Sequence, residues 1–81
     1  MLVPDIFNQL SEEVILNAIQ QLPPSYQIVF NLHVIDGYQH DEIAQKLNIS
    51  VGTSKSNLNV ARTKLKKMLS LEFGKKTEQN G

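Results

Sequence analysis

Hydrophobic residues recur at helical spacing in four stretches of this chain, separated by polar or turn-forming residues. Val14, Ile15, Ala18, Ile19 and Leu22 mark one apolar face. Ahead of them Ser11 supplies a capping hydroxyl, and Glu12 and Glu13 place acids on the positive end of the helix dipole. Pro23 ends this first helix, because the residue before a proline is pushed out of helical geometry. Pro24 fits the first turn of the next helix, where its missing amide costs nothing. In that second helix Ile28, Val29, Leu32 and Ile35 form the apolar face and Phe30 and Val34 widen it, which predicts the most buried helix of the set. Gly37 stops it.

The remaining two helices form one unit, from Asp41 to Leu69. Ile43, Ala44 and Leu47 recur at helical spacing, then Asn48, Ile49 and Ser50 interrupt as a turn residue, an apolar plug and a cap. Asn48 suits the left-handed backbone that ends a helix. Ser50 is placed to cap the next one, its hydroxyl accepting from the amide of Gly52 or Thr53. Beyond it, Val51, Leu58 and Leu65 repeat every seven residues beside a second line of Ser54, Ala61 and Met68, so one stripe faces a core. About 100° round the helix lies a line with nothing apolar in it: Lys55, Asn59, Arg62 and Lys66. The pattern is a helix-turn-helix whose second helix offers a DNA-reading face. With no strand signal, the expected fold is an all-α, four-helix domain, winged-helix-like but without strands. Two helices form a platform and the helix-turn-helix rests on it. Its expected span is residues 11–73, after a lead-in or linker over 1–10 and before a segment, 74–81, with the composition of a disordered tail.

Charge sharpens this picture. The net charge of zero conceals a division: Met1 to Glu42 carries six acids and no Lys or Arg, and Ile43 to Leu71 carries six bases and no acid. Such an asymmetry suggests a polyanion on one side and a different partner, such as a protein, on the other. A basic run is often only a solvated helix face, but here it coincides with the second helix of a helix-turn-helix. At 81 residues and 41% hydrophobic content the chain fits one small domain. A chain of this size buries only roughly 60% of its unfolded surface, which leaves little room for a deep catalytic cavity. With no cysteine, a disulfide framework and a thiolate zinc site are excluded. No apolar run approaches the ~20 residues of a membrane span, and the first residues lack the pattern of a signal peptide, so a cytoplasmic protein is expected.

The candidate chemistry is recognition, not catalysis. His33 and His40 lie on different predicted helices with no acid or cysteine cluster to complete a metal set, and read as packing or surface residues. Ser54 and Ser56 have no histidine base signalled nearby. No enzyme, metal or cofactor is expected. The candidate DNA contacts are Ser50, Gly52, Thr53, Lys55, Ser56, Asn57, Asn59, Arg62 and Lys66. Thr53, Lys55 and Ser56 occupy the first two turns, where a recognition helix meets base edges and phosphates. Gly52 would let a DNA strand approach the free amides of the first turn. Arg62, two turns on, suits phosphate. Lys64, Lys66 and Lys67 point in several directions, so only some can face a duplex.

The run from Leu22 to Leu69 also resembles region 4 of the extracytoplasmic-function sigma factors, over about residues 11 to 71. The likeness rests on Leu22-Pro23 before Tyr26, Val29-Phe30 with Leu32, Asp36-Gly37, Glu42-Ile43-Ala44, Ile49-Ser50, Gly52-Thr53, Lys55-Ser56 and Ala61-Arg62, in that order and spacing. The resemblance implies a domain that recognises the minus-35 promoter element in double-stranded DNA through the major groove and docks on the flap of the RNA polymerase β subunit. It also implies an anti-sigma factor as a further partner. The chain departs from the family at Asn57 and Val60, where members often carry arginine, and at Gln39, where a serine or threonine cap is common. Losing two cations weakens phosphate contact or changes the bases read. Two alternatives stay open: the output domain of another transcriptional regulator, and a module that uses its basic stripe to bind an acidic protein. A monomer with no membrane association is expected.

Overall fold

In the computed structural model the described residues are 10–80, with side chains described as far as residue 72. The helices are α1 (Glu12–Gln20), α2 (Pro24–Phe30), α3 (His40–Leu47) and α4 (Val51–Asn80). A π-helical turn, Asn31–Ile35, extends α2. Among the described residues there is no strand, so the domain is all-helical as its periodicity predicts.

Local chemistry sets each boundary. The Ser11 hydroxyl accepts from the Val14 amide at 3.2 Å and opens α1. Pro23 and Pro24 separate α1 from α2, and the Gln27 side-chain amide ties the two together by donating to the Ile19 carbonyl at 2.8 Å. The same carbonyl also accepts from the Leu22 amide at 3.1 Å, so both of its lone pairs are used at the end of α1. Gly37 adopts φ +83°, and the chain folds back so that the Tyr38 amide donates to the Leu32 carbonyl at 2.9 Å. Gln39, the weak cap, is compensated from the other side: Glu42 Oε1 accepts from the Gln39 amide at 2.9 Å. Asn48 takes the left-handed conformation, φ 56° and ψ 49°, that ends α3. Two residues later the Ser50 hydroxyl accepts from the Thr53 amide at 2.9 Å and starts α4.

The core gathers Ala18, Ile19 and Leu22 of the α1 segment, Val29 and Phe30 of α2, Ile43 of α3, and Leu58, Ala61, Leu65 and Leu69 of α4. Four expectations need correction. Val51 shares a direction with the buried line of α4 but is 40% exposed, because the line begins one turn later at Ser54 and runs through Leu58, Ala61, Leu65 and Leu69. On α2 the inward face is Tyr26, Val29 and Phe30, leading to His33, while Ile28, Val34 and Ile35 are exposed. Helix α4, not α2, thus carries the longest buried line. The π turn explains part of the α2 difference: Asp36 N–H bonds to the Asn31 carbonyl five residues back, at 3.0 Å, and this wider turn rotates Val34 and Ile35 from their α-helical positions. Finally, α4 runs on to Asn80, through the stretch whose composition predicts a tail. The helix passes through Gly74, which weakens the backbone ladder without breaking it, and residues 75–80 hold no proline to end it. Of the predicted lead-in, Leu10 packs against the core, and residues 1–9 lie outside the described residues.

Phe30, 1% exposed, and Ile35, 57% exposed, separate these two accounts of α2. Phe30→Ala should cost about 3–5 kcal/mol in urea denaturation, a large part of a small domain's stability. Ile35→Ser should change it by about 0.5 kcal/mol or less. Equal losses at both positions would restore the face that simple periodicity predicts.

Candidate nucleic-acid interface

The second helix of the motif presents its polar line to solvent because its opposite side is consumed by the core. Lys55, Asn59 and Lys66 are exposed, and Arg62, at the edge of the line nearest the buried stripe, is half-buried. None of these three cations takes part in an ion pair among the described residues. The Arg62 Nε is fully buried and lacks a hydrogen-bond partner. Such a donor costs about 1–3 kcal/mol unless something accepts from it. Lys64 projects elsewhere, with its Nζ 5.9 Å from the centre of the Tyr26 ring on the platform. Lys46 lies 4.6 Å over the Tyr38 ring. Lys55, Arg62 and Lys66 therefore form an outward line, while Lys46 and Lys64 turn onto aromatic faces of the domain.

The start of α4 is exposed and well organised. Ser50 donates to Thr53 Oγ1 at 2.9 Å while accepting from the Thr53 amide, and Ser56 donates to the Thr53 carbonyl at 3.1 Å. These contacts fix the hydroxyls of the first turns and leave acceptor capacity on Ser56. A Cβ added at Gly52 would meet only Ser50 Oγ, at an ordinary 3.8 Å. Nothing within the domain requires glycine there. Of the remaining candidates, Thr53 is exposed beside Gly52, and Asn57 is half-buried, on a different side of α4 from Lys55.

Sequence reasoning set His33 and His40 aside as packing or surface residues and signalled no histidine near Ser54, whereas the structure brings all three together. His33 and His40, on different elements, stack with ring centroids 4.4 Å apart and planes 13° apart. His33 Nδ1 lies 2.8 Å from the Tyr38 carbonyl, which can only accept, so that nitrogen carries a proton. His40 Nδ1 shares a 2.8 Å hydrogen bond with Ser54 Oγ, a side chain with no exposed surface. This bond joins the first turn of α3 to α4 across the motif. The only sequence signal for it was the polar Ser54 in an otherwise apolar line. Burial first, then repulsion from His33, Lys55 and Arg62, holds His40 below the ordinary histidine value.

Residues 12–65 match the family model described as Sigma-70, region 4. The chain belongs to the sigma-70 region 4 family. No curated protein and no solved structure matches it. Region 4 is a DNA-binding helix-turn-helix domain of sigma factors and not a catalytic family. In this region 4 domain the motif's two helices are α3 and α4. Among the described residues no helix is long and apolar enough to cross a membrane.

The pH dependence follows from His40. Its folded-state proton affinity is depressed, so the unfolded chain binds more protons below the ordinary histidine value of about 6.5. Stability contributed by neutral His40 is complete above that value and is lost as pH falls through the lower, folded one. Thermal melts should therefore drop between about pH 7 and pH 5.5, and His40→Gln should flatten that drop. A wild-type melting temperature that rises over this interval would contradict the assignment.

Proposed function

We propose that this chain is the promoter-reading domain of an extracytoplasmic-function sigma factor, recognising the minus-35 element and docking on the β flap of RNA polymerase. The observation that carries the reading is the unpaired line Lys55, Asn59, Arg62 and Lys66, placed on the second helix of a region 4 helix-turn-helix. Helix α4 enters the major groove by its first turns. Lys55 lies deepest, Ser56 and Asn59 hydrogen-bond bases or backbone, and Arg62 and Lys66 hold phosphates. Ser50, Gly52 and Thr53 bring a backbone strand against the free amides at the helix start, and Asn57 borders the contact. The functional unit is residues 11–73, and it acts as a cytoplasmic monomer without catalysis.

Docking on polymerase uses the other side of the domain. Exposed Ile28, Val34 and Ile35 lie on the α2 segment, whose acidic half of the chain is unsuited to DNA. That apolar surface suits a protein partner, the polymerase or an anti-sigma factor. Tethering to polymerase raises the local concentration of the domain and makes weak binding by the isolated module sufficient.

A salt series of binding to a duplex carrying a candidate minus-35 element, beside a scrambled duplex, tests the reading. Three or four phosphate contacts predict a slope of log K against log salt of about −3 to −4. Lys55→Ala should weaken the cognate duplex more than the scrambled one, and equal losses on both would remove Lys55 from base reading. Binding that survives neutral replacement of all three cations in the line would remove the face altogether.

Gly52 separates folding from binding. Gly52→Ala should leave stability unchanged or raise it by up to about 1 kcal/mol, since alanine favours the helix and the added methyl makes only an ordinary 3.8 Å contact with Ser50 Oγ. The same substitution should weaken duplex binding several-fold. Unchanged binding would mean that no DNA strand approaches this turn.

A further inference from the structure

Val60 has no part in the core and none in the reading above. Between Gly52 and Lys67 the apolar residues of α4 are Leu58, Val60, Ala61 and Leu65; the others are buried in the shared core, and Val60 alone neither belongs to it nor packs against it. It is half-buried all the same. Around it, Asn59, Thr63 and Lys64 of the same helix complete a shallow crease between neighbouring i, i+4 rows. Two contacts made elsewhere keep that crease apolar. The Thr63 hydroxyl donates to the Asn59 carbonyl at 3.0 Å, so its proton is spent within the helix and its methyl is left to the crease. Lys64 contributes its stem, since its Nζ is drawn to 5.9 Å from the centre of the Tyr26 ring on the platform. Asn59 brings an amide to the rim, and it belongs to the exposed line of α4. A β-branched residue outside the core costs helix propensity and adds nothing to packing, so folding does not call for valine here.

We infer that Val60, with the Thr63 methyl beside it, receives the C5-methyl of a thymine and so sets a preference for thymine at one base pair of the DNA. This inference rests on the DNA-binding reading above and deepens it. Val60 lies one helical turn beyond Ser56 on the same face, so a groove that receives Ser56 meets Val60 next. Along the major-groove edges of the bases the thymine methyl is the one apolar substituent, and the other groups there donate or accept hydrogen bonds. A crease that offers carbon to that edge therefore has one partner. Any other base at the same place would set a polar group against Val60, taking it from water without a hydrogen bond in return. The Asn59 amide at the rim is placed to hydrogen-bond a neighbouring base, so one turn of α4 reads one base pair by its methyl and the next by its polar edge. Phosphate contacts by Arg62 and Lys66 fix the register in which they meet.

The probe is a duplex pool with a randomised core, from which the wild-type chain enriches its preferred sequence at low salt. In that duplex each thymine is replaced in turn by deoxyuridine, which removes only the C5-methyl. One replacement should weaken wild-type binding by about fourfold, the worth of one buried methyl group, and the others by less than about twofold. Val60→Ala should bind the thymine duplex about as weakly as the wild type binds its uracil counterpart, and should tell the two apart by less than about twofold. Alanine keeps the helix, and the deoxyuridine series needs no variant at all. A preferred duplex in which no thymine methyl matters would overturn the inference. So would a uracil penalty that persists undiminished in Val60→Ala. Failure of the underlying reading looks different: the pool yields no enriched sequence, no duplex is bound even at low salt, and the crease loses its ligand with it.

Discussion

The left-handed backbone at Asn48 is the constraint on which this domain turns. It stops α3 and lets Ser50 start α4 two residues later, so the angle between the two helices is set over a very short span. With so short a connection, neither helix can bury its apolar face independently. Ile43 of α3 and Leu58, Ala61 and Leu65 of α4 must find the same core, together with Phe30 and Val29 of the platform. Once that core forms, the orientation of α4 about its own axis is decided. The line of Lys55, Asn59 and Lys66 then faces water because its opposite side cannot.

Binding capacity in this domain comes from what the core leaves unsatisfied. Lys64 and Lys46 rest over Tyr26 and Tyr38, whereas Lys55, Arg62 and Lys66 take part in no ion pair among the described residues. Arg62 shows the tension most clearly: its position at the edge of the buried stripe hides Nε without giving it a partner. Charges held apart in this way cost the free domain some stability and are available to a polyanion.

The helix boundaries were legible because each rests on local chemistry: Ser11, Pro24, Gly37, Asn48 and Ser50 act within four or so residues of themselves. The polar line proposed to read DNA was legible as a line for a related reason, since periodicity places Lys55, Asn59, Arg62 and Lys66 on one side of any straight helix. Periodicity misjudged Val51, Ile28, Val34 and Ile35. It gives the direction of a side chain and not whether a neighbour stands at that height. The π turn added an error of its own by altering the angle per residue after Phe30.

By itself, then, the sequence determined the all-helical class, the caps, the turn and the polar line of the recognition helix, and it carried the region 4 pattern. Each of these depends on residues close together along the chain or on one helix's fixed period. Only the tertiary structure decided that Ser54 meets His40 fourteen residues away, and that His40 stacks on His33 from another element. It alone buried the Nε of Arg62. Those contacts depend on where separate helices come to rest, which is a property of the shared core and not of any local stretch.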